Sequence, residues 1–591
     1  MKELTQDRAT AIANELKSII RKYDHRNFTA HIAFLANQHV RQSTGQIKLR
    51  SPVRQLMYLV SLYHATEIGG RALYAAGTDD HKAIIRLLNE IEKGYGYEAE
   101  RTKKGEMSQE EFNHMLTTKS TFLNYYLNAT LSYMEQDIER IKRTFQYHKE
   151  FIFLETGLAL NDYTDFFILL TNMEIGRGKR YMEDEDDPVL RSLKLGKRFN
   201  SLSESQKIHL LDLTDRKVFN MAIPIAEIYK LADPEKAKLF LAYFTLLRNE
   251  NKDYLYYTDK CPYLSKPILI MDGESILMIY SKQLINAIYD FLYEVCNRPN
   301  APGRKISERR DLYLEEKTTE VFRDFFDSGA NFYRGYYVNG NEKDLLILHN
   351  RIAYVIECKA QRQRQPLRDP VRAYDRIKDD FQKSIGNGYS QAREVETLFL
   401  GQEVFKIKNK SKQTIATINP ADFDEVFTIV VTQERLGQIQ CDLGLLLQLP
   451  LDCPYPWAVC INDLESFLIT LKRKDDHIQG FKEFLLSREL LHERVFCYDE
   501  LELCAYFLFD NENFIKMCLK DGIFFSQPDV NKFFDLFYYK GFGFKDELNL
   551  SEKLKRRDLY EESVTTFHKL RPADRIMEYM QSRAERENKR G

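Results

Sequence analysis

Apolar residues recur at three- and four-residue steps through most of the first 260 positions, the spacing that lays a single stripe along an α-helix. ATAIANELKSIIRKY, RQLMYLVSLYHATEIGG and EFNHMLTTKSTFLNYYLNATLSYMEQDIERIKRTF all carry it, with few β-branched alternations. They predict an all-α region over residues 1–260. An acidic stretch from Met182 to Pro188 reads as a solvated loop. Beyond it a second helical run includes VFNMAIPIAEIYKLA and AKLFLAYFTLLRN. No repeat of fixed period is visible, so nothing supports a helical solenoid.

The texture changes after Lys266. PILIMDGESILMIY predicts two short strands about an Asp-Gly turn, and QLINAIYDFLYEVC a helix. RPNAPGRKISERR, rich in Pro, Gly and Arg, reads as the linker that closes a small α/β segment over 261–304. From Leu312 the order becomes α, β, β, β, α, β. LYLEEKTTEVFRDFF is an amphipathic helix, and NFYRGYYV, DLLILH and IAYVIECKA are strands. VRAYDRIKDDFQKSIGNGYSQAREVETLFL is helical with a break at Gly386–Gly388, and EVFTIVVT is a buried strand. YPWAVCINDLESF adds a strand leading into a helix capped by Asn462 or Asp463. The remainder, 476–591, is mostly helical and aromatic-rich, and ends in the charged helix ADRIMEYMQSRAERENKR. FFDLFYYKGFGF could stack bases, but a core helix followed by a Gly-rich turn is the simpler account.

Composition narrows the class. At about 150 residues per domain, a chain of 591 residues implies several domains. With 43% hydrophobic residues it can fill their cores, so a disordered polymer is excluded. The 86 basic and 88 acidic residues nearly cancel, so any nucleic acid would have to be held by a local patch. No run approaches the roughly 18 apolar residues of a membrane span. The N-terminus has acids where a secretory leader needs an apolar run, which predicts a soluble cytoplasmic protein. Nine cysteines lie scattered, with no C-x-x-C and no Cys/His spacing for zinc, and read as free thiols. There is no H-E-x-x-H and no phosphate-binding G-x-x-x-x-G-K-[ST].

Chemistry concentrates in KDLLILHNRIAYVIECKA, which sets Asp344 ahead of Glu357 and Lys359. The tripeptide E-x-K by itself is uninformative, since it also begins at Glu15, Glu250, Glu315 and Glu587. Glu357 differs because it ends an apolar β-run, where an uncompensated charge is costly. If Asn350–Arg351 is a two-residue hairpin turn, Asp344 falls directly opposite Glu357, and Glu342 opposite Lys359. Glu357, Lys359 and Asp344 then share one face, with opposed Cβ atoms about 4.5–5.5 Å apart. Two carboxylates that close need a cation between them or a proton on one, and Mg²⁺ suits such a site. His349 would face the other side of the sheet. On the preceding helix Thr318, Val321, Phe322 and Phe325 form the buried stripe at about 100° per residue. Glu315 lies on its margin, able to look into the sheet, while Glu316 and Glu320 point to solvent.

On these residues the segment from about 305 to 435 resembles the PD-(D/E)xK nuclease superfamily, whose restriction-endonuclease-like core is αβββαβ. The resemblance matches Asp344 to its metal-binding Asp, Glu357 and Lys359 to its E-x-K, and Glu315 to the acid many branches carry on the first helix. Gln391 matches the Gln that some branches place on the following helix. Two departures stand: Glu342–Lys343 precedes the Asp where the family's Pro would be, and Val395 stands where a Tyr would complete Q-x-x-x-Y.

The family likeness implies a nuclease domain over 305–475, hydrolysing phosphodiester bonds of DNA with Mg²⁺, or Mn²⁺ in its place. Asp344, Glu357 and the backbone carbonyl of Cys358 would hold the metal, with Glu315 reaching a second ion or a bound water, and Lys359 would orient the attacking water. Arg351, Arg362, Arg364, Arg368, Arg372 and Arg376 would offer a phosphate track. In texture the whole chain resembles bacterial nuclease-domain proteins associated with anti-phage defence. That likeness implies a protein or phage-derived trigger at the helical N-terminal region, and a homodimer for cutting two strands. The competing expectation is a non-catalytic nucleic-acid-binding or scaffold protein that keeps the same fold.

Overall fold

The computed structural model describes residues 6–40, 49, 51–75, 77–95, 108–127, 132–183, 203, 205–206, 221–367, 370–401, 403–450, 453–526, 530–544 and 547. They separate into two compact units. One comprises the described residues up to Ser108 and from Tyr125 to Arg309; the other comprises Gln109–Asn124 and those from Arg310 on. No helix among the described residues is long and apolar enough to cross a membrane.

The first unit is mainly helical, as the periodicity predicts, with helices Gln6–Ile20, Pro52–His64, Met134–Phe145, Leu160–Glu183 and Lys282–Cys296 among its elements. It is not purely so. Ile223–Pro224 and Thr245–Leu246 are two-residue strands that join Ser275–Met278 and Ile268–Ile270 in a four-stranded sheet. Strands that short leave no period-two signature, and this is why the sequence reads as helix there. The expected hairpin is present: Ile268 pairs with Met278 and Ile270 with Ile276. At its tip Gly273 takes a φ of +84°, and Asp272 accepts the backbone N–H groups of Glu274 and Ser275. Phe145, Tyr163, Phe240, Phe244, Ile268, Ile288 and Leu292 share one core. So the 261–304 segment packs with the helices that precede it. The acidic stretch lies outside the described residues from Asp184 onward.

The second unit is built on a seven-stranded mixed sheet. In chain order its elements are α1 (Ile306–Phe325), β1 (Asn331–Val338), β2 (Asn341–His349), β3 (Ile352–Lys359), α2 (Pro370–Phe381), α3 (Asn387–Leu400), β4 (Phe405–Lys408), β5 (Thr414–Ile418), β6 (Glu425–Thr432), β7 (Trp457–Cys460), α4 (Ile461–Leu471) and α5 (His477–Glu489). The strand order is β7-β6-β3-β2-β1-β4-β5. β6 runs parallel to β3 and β7, and the other pairings are antiparallel. β4 and β5, which the sequence does not announce, form an edge hairpin whose residues are largely exposed. The break expected at Gly386–Gly388 is instead one π-helical turn, Gln382–Gly386, carrying α2 straight into α3. α4 is capped by Cys460, two residues before Asn462 and three before Asp463, and begins at Ile461.

Each face of the sheet has its own cover. Ala392, Val395 and Phe399 of α3 pack on Leu346, Leu348, Ala353 and Val355. On the other face Phe326, just past α1, and Phe481 of α5 meet the ring of Tyr354 at 5.1 and 5.7 Å. His349 lies on that second face, its ring 5.3 Å from Phe326 and its Nε2 2.9 Å from Asp327. The FFDLFYYKGFGF segment supplies core rather than a base-stacking surface: Phe533, Phe534, Phe537 and Phe542 are fully buried. The charged C-terminal helix expected from Ala573 lies outside the described residues. The described cysteines are all free thiols, seven buried and two half-buried.

Behind the sheet a buried ion pair ties α5 to helix Glu500–Phe509. Arg488 Nε and Nη2 lie 2.7 and 3.0 Å from the two oxygens of Glu500, which also accepts from Trp457 Nε1 at 2.8 Å. Both charged side chains are 1% exposed. Removing one partner strands the other charge in low dielectric, so Glu500→Ala is expected to cost about 3–5 kcal/mol. An Arg488→Met, Glu500→Leu double variant should come much closer to wild type in urea unfolding. Equal losses from the two would show that the charge itself is not what matters.

Candidate active site

Two tight hairpins place the chemistry. Asn339–Gly340, at φ 51° and 87°, joins β1 to β2, and Asn350–Arg351, at 47° and 62°, joins β2 to β3. Positive φ at both central residues is the type I′ turn, whose twist matches that of the strands it links. The second turn sets the register that the sequence predicts, running from His349–Ile352 to Leu345–Ile356. Beyond that pair the ladder ends, so Asp344 and Glu357 are not the directly opposed pair that the turn predicts. The Cys358 N–H finds its acceptor in the Asp344 carboxylate, Oδ2 at 2.7 Å. Lys359 Nζ lies 3.0 Å from Glu357 Oε2 and 3.7 Å from Asp344 Oδ2. The three residues singled out on these strands are therefore together. Glu342 is not paired with Lys359, because it too lies past the end of the β2–β3 ladder; on its β1 side it pairs with Tyr337 and accepts that residue's hydroxyl at 2.7 Å.

The electrostatics are strained in one direction. Glu357 is 1% exposed, and its Oε1 has no hydrogen-bond partner. Burial and, secondarily, the charge of Asp344 push its carboxyl up to about 8, against the opposing pull of Lys359. Burial disfavours the Lys359 ammonium too, but Glu357 and Asp344 outweigh it and raise its pKa. Glu315 of α1 is half-buried; burial and then Asp344 push it up to about 7, opposed by Arg334 of β1 at 3.6 Å. This is the orientation that the helical angle predicts for Glu315. Glu316, expected to face solvent, is half-buried as well and lies 3.9 Å from the same guanidinium, whereas Glu320 is exposed. Arg334 was not legible as a site residue, because it meets α1 only through the fold.

Gln391 lies on α3; its backbone carbonyl accepts from Lys343 Nζ at 2.9 Å, and its side-chain Oε1 is buried without a partner. Arg364 is bound to Asp379 and Asp380, both at 2.6 Å, and Arg362 Nε stands 3.5 Å from Glu434. Arg351 is likewise held by Asp424. Much of the expected phosphate track is thus already neutralised by acids of its own unit. Arg368 lies outside the described residues.

Gly388 shows why α3 carries a glycine at its start. A Cβ there would sit 2.8 Å from Val430 Cγ1 and 3.3 Å from Lys359 Cγ. In an unhindered helix, Gly→Ala gains up to about 1 kcal/mol. Here Gly388→Ala is expected to lose about 1–3 kcal/mol through overpacking and to displace Lys359. Thermal unfolding reads the first effect, and loss of whatever activity depends on Lys359 reads the second.

Among the described residues no three His, Cys, Asp or Glu side chains gather to hold a metal ion. A metal would rest on fewer protein donors: the carboxylates of Asp344 and Glu357 and a main-chain oxygen, with water completing the shell, as magnesium tolerates. The unpartnered Oε1 of Glu357 is the observation that fits such an ion, since a buried carboxylate oxygen otherwise goes unsatisfied. A roomier groove, about 1020 Å³, lies in the first unit between Lys142, Tyr147, Phe153, Leu154, Leu160 and Pro302. Its single lining carboxylate, Glu150, gives it no comparable chemistry. No family model, no curated protein and no solved structure matches this chain.

Proposed function

We propose that the second unit is a metal-dependent nuclease that hydrolyses phosphodiester bonds of DNA, with Mg²⁺ as cofactor and Mn²⁺ able to replace it. One observation carries the reading. Glu357 is held buried, beside a second carboxylate, with one oxygen unpartnered. Stability alone gives no reason for that cost, and strained ionisable clusters of this kind mark functional sites. The order α1, β1, β2, β3, α2–α3, β6 supports the restriction-endonuclease-like resemblance, with β4 and β5 as an addition to it.

Asp344, Glu357 and the carbonyl oxygen of Cys358 would hold the ion. When bound, it would offset charge developing on the phosphate and lower the pKa of a coordinated water. Lys359, already poised between both carboxylates, would orient the attacking water by its charge and donor hydrogens. Glu315 would accept a hydrogen bond from that water, with Arg334 fixing the carboxylate. Anti-phage defence, a protein trigger and a homodimer remain proposals that follow from the resemblance.

The test is direct. The purified full chain is incubated with supercoiled plasmid, linear duplex DNA and single-stranded RNA, in Mg²⁺, Mn²⁺ or EDTA. DNA cleavage in metal and none in EDTA is expected. Absence of cleavage, together with no Mn²⁺ binding by calorimetry, would overturn the proposal and favour the non-catalytic scaffold.

A further inference from the structure

Side chains along a strand alternate between faces, so residues on one face are separated by even steps. On β2, Leu348 and Leu346 face α3. Continuing the alternation would send Asp344 to α3 and Lys343 to the opposite side. The reverse holds for Lys343. It is 1% exposed, and its ammonium reaches α3, bonding the Gln391 carbonyl at 2.9 Å and Glu394 Oε2 at 2.7 Å.

β1 breaks step at the same place. Tyr333 packs on the α3 face, and so do Tyr336 and Val338, an odd number of residues further on. Between them Gly335 takes a φ of +59°, and the ladder omits the Gly335–Asp344 pair while keeping Arg334–Leu345 and Tyr336–Lys343. The hairpin therefore rolls at Gly335 and Asp344. The roll frees Asp344 from the α3-facing row and leaves its carboxylate on the Cys358 N–H, 3.7 Å from Lys359.

We propose that Lys343 is the positioning residue for Asp344: its buried ammonium, clamped to Gln391 and Glu394, holds the roll that aims the carboxylate. Glu394 is half-exposed and is held by Asn341 Nδ2 at 3.3 Å as well, so two side chains of β2 bind the same carboxylate. The role as an aid to catalysis rests on the nuclease reading; the aiming of Asp344 does not.

Two variants, Lys343→Met and Glu394→Gln, test this against wild type, with Lys343→Arg as the conservative control. Outer partners of metal ligands typically tune affinity by about 10–100-fold. Mn²⁺ affinity is expected to fall by about that factor in Lys343→Met, less in Glu394→Gln, and to be largely restored in Lys343→Arg. Hydrogen exchange of the β3 peptide containing Cys358 gives a readout free of metal and activity. Its protection should fall in Lys343→Met and Glu394→Gln while that of β6 is kept. Unchanged protection at Cys358 in both variants would overturn the inference, even if the protein proves to be an active nuclease. Lost protection with no metal binding by wild type would instead retain the positioning role and sink the nuclease reading.

Discussion

Lys359→Ala is expected to lower metal-dependent cleavage by at least about 10²–10³-fold, the usual effect of removing one preorganised charge from a reacting centre. It should not weaken metal binding. The ammonium sits 3.0 Å from Glu357 and 3.7 Å from Asp344, where it competes with a cation for the same carboxylates. Taking it away leaves two acids that repel each other unless an ion or a proton intervenes. Mn²⁺ affinity should therefore hold or rise in Lys359→Ala and collapse in Asp344→Ala, although both variants stop cutting. Calorimetric titration beside the plasmid gel separates the two roles. A Lys359→Ala protein that cuts at the wild-type rate would remove Lys359 from the mechanism.

Glu357→Gln is expected to abolish cleavage and yet stabilise the fold in the absence of metal. The folded site disfavours the charged carboxylate, and a neutral amide of the same shape avoids that penalty while Asp344 stays beside the Lys359 ammonium. The gain should depend on pH with a definite sign. The carboxyl of Glu357 is raised from the ordinary 4.5 to about 8 in the folded protein. Between those values the folded state keeps a proton that the unfolded chain has released, so the stability contributed by this group falls as pH rises. The advantage of Glu357→Gln over wild type should accordingly be small near pH 5 and largest at pH 8 and above. Glu315, pushed up to about 7, contributes with the same sign in both proteins and cancels in the comparison. Urea unfolding of the two proteins at pH 5 and pH 8 reads this. Saturating Mg²⁺ should stabilise wild type and leave the variant unchanged, because a ligand adds stability only to a state that binds it. A variant less stable than wild type at pH 8 would mean that Glu357 is already compensated.

Where the sequence succeeded, the controlling forces were short in range. Gly273 and Asn350 mark turns because they accept positive φ cheaply, while Arg351 takes its φ of 62° against its own preference, and the second turn sets the pairing down to Leu345–Ile356. The buried stripe of Val321, Phe322 and Phe325 follows from helical angle, and Glu315 beside it is found where that angle puts it. Where the sequence failed, local signals were too short or belonged to distant partners. Ile223–Pro224 and Thr245–Leu246 are too brief to show a period, and the Gly386–Gly388 break proved to be a π turn with close helix–sheet packing. The basic loop looked like a phosphate track, yet Arg364 is spent on Asp379 and Asp380 and Arg351 on Asp424.

By itself, then, the sequence determined the helical and central α/β texture, the β2–β3 register down to Leu345–Ile356 and the pairing of Glu357 with Lys359, all set by spacing of a few residues and by turn stereochemistry. Only the tertiary structure decided which way Asp344 points, that Arg334 faces Glu315 and Glu316, and which arginines are neutralised. Those outcomes depend on charges far apart in the chain, such as Lys343 and Glu394, 51 residues apart, which must meet once both are taken out of water.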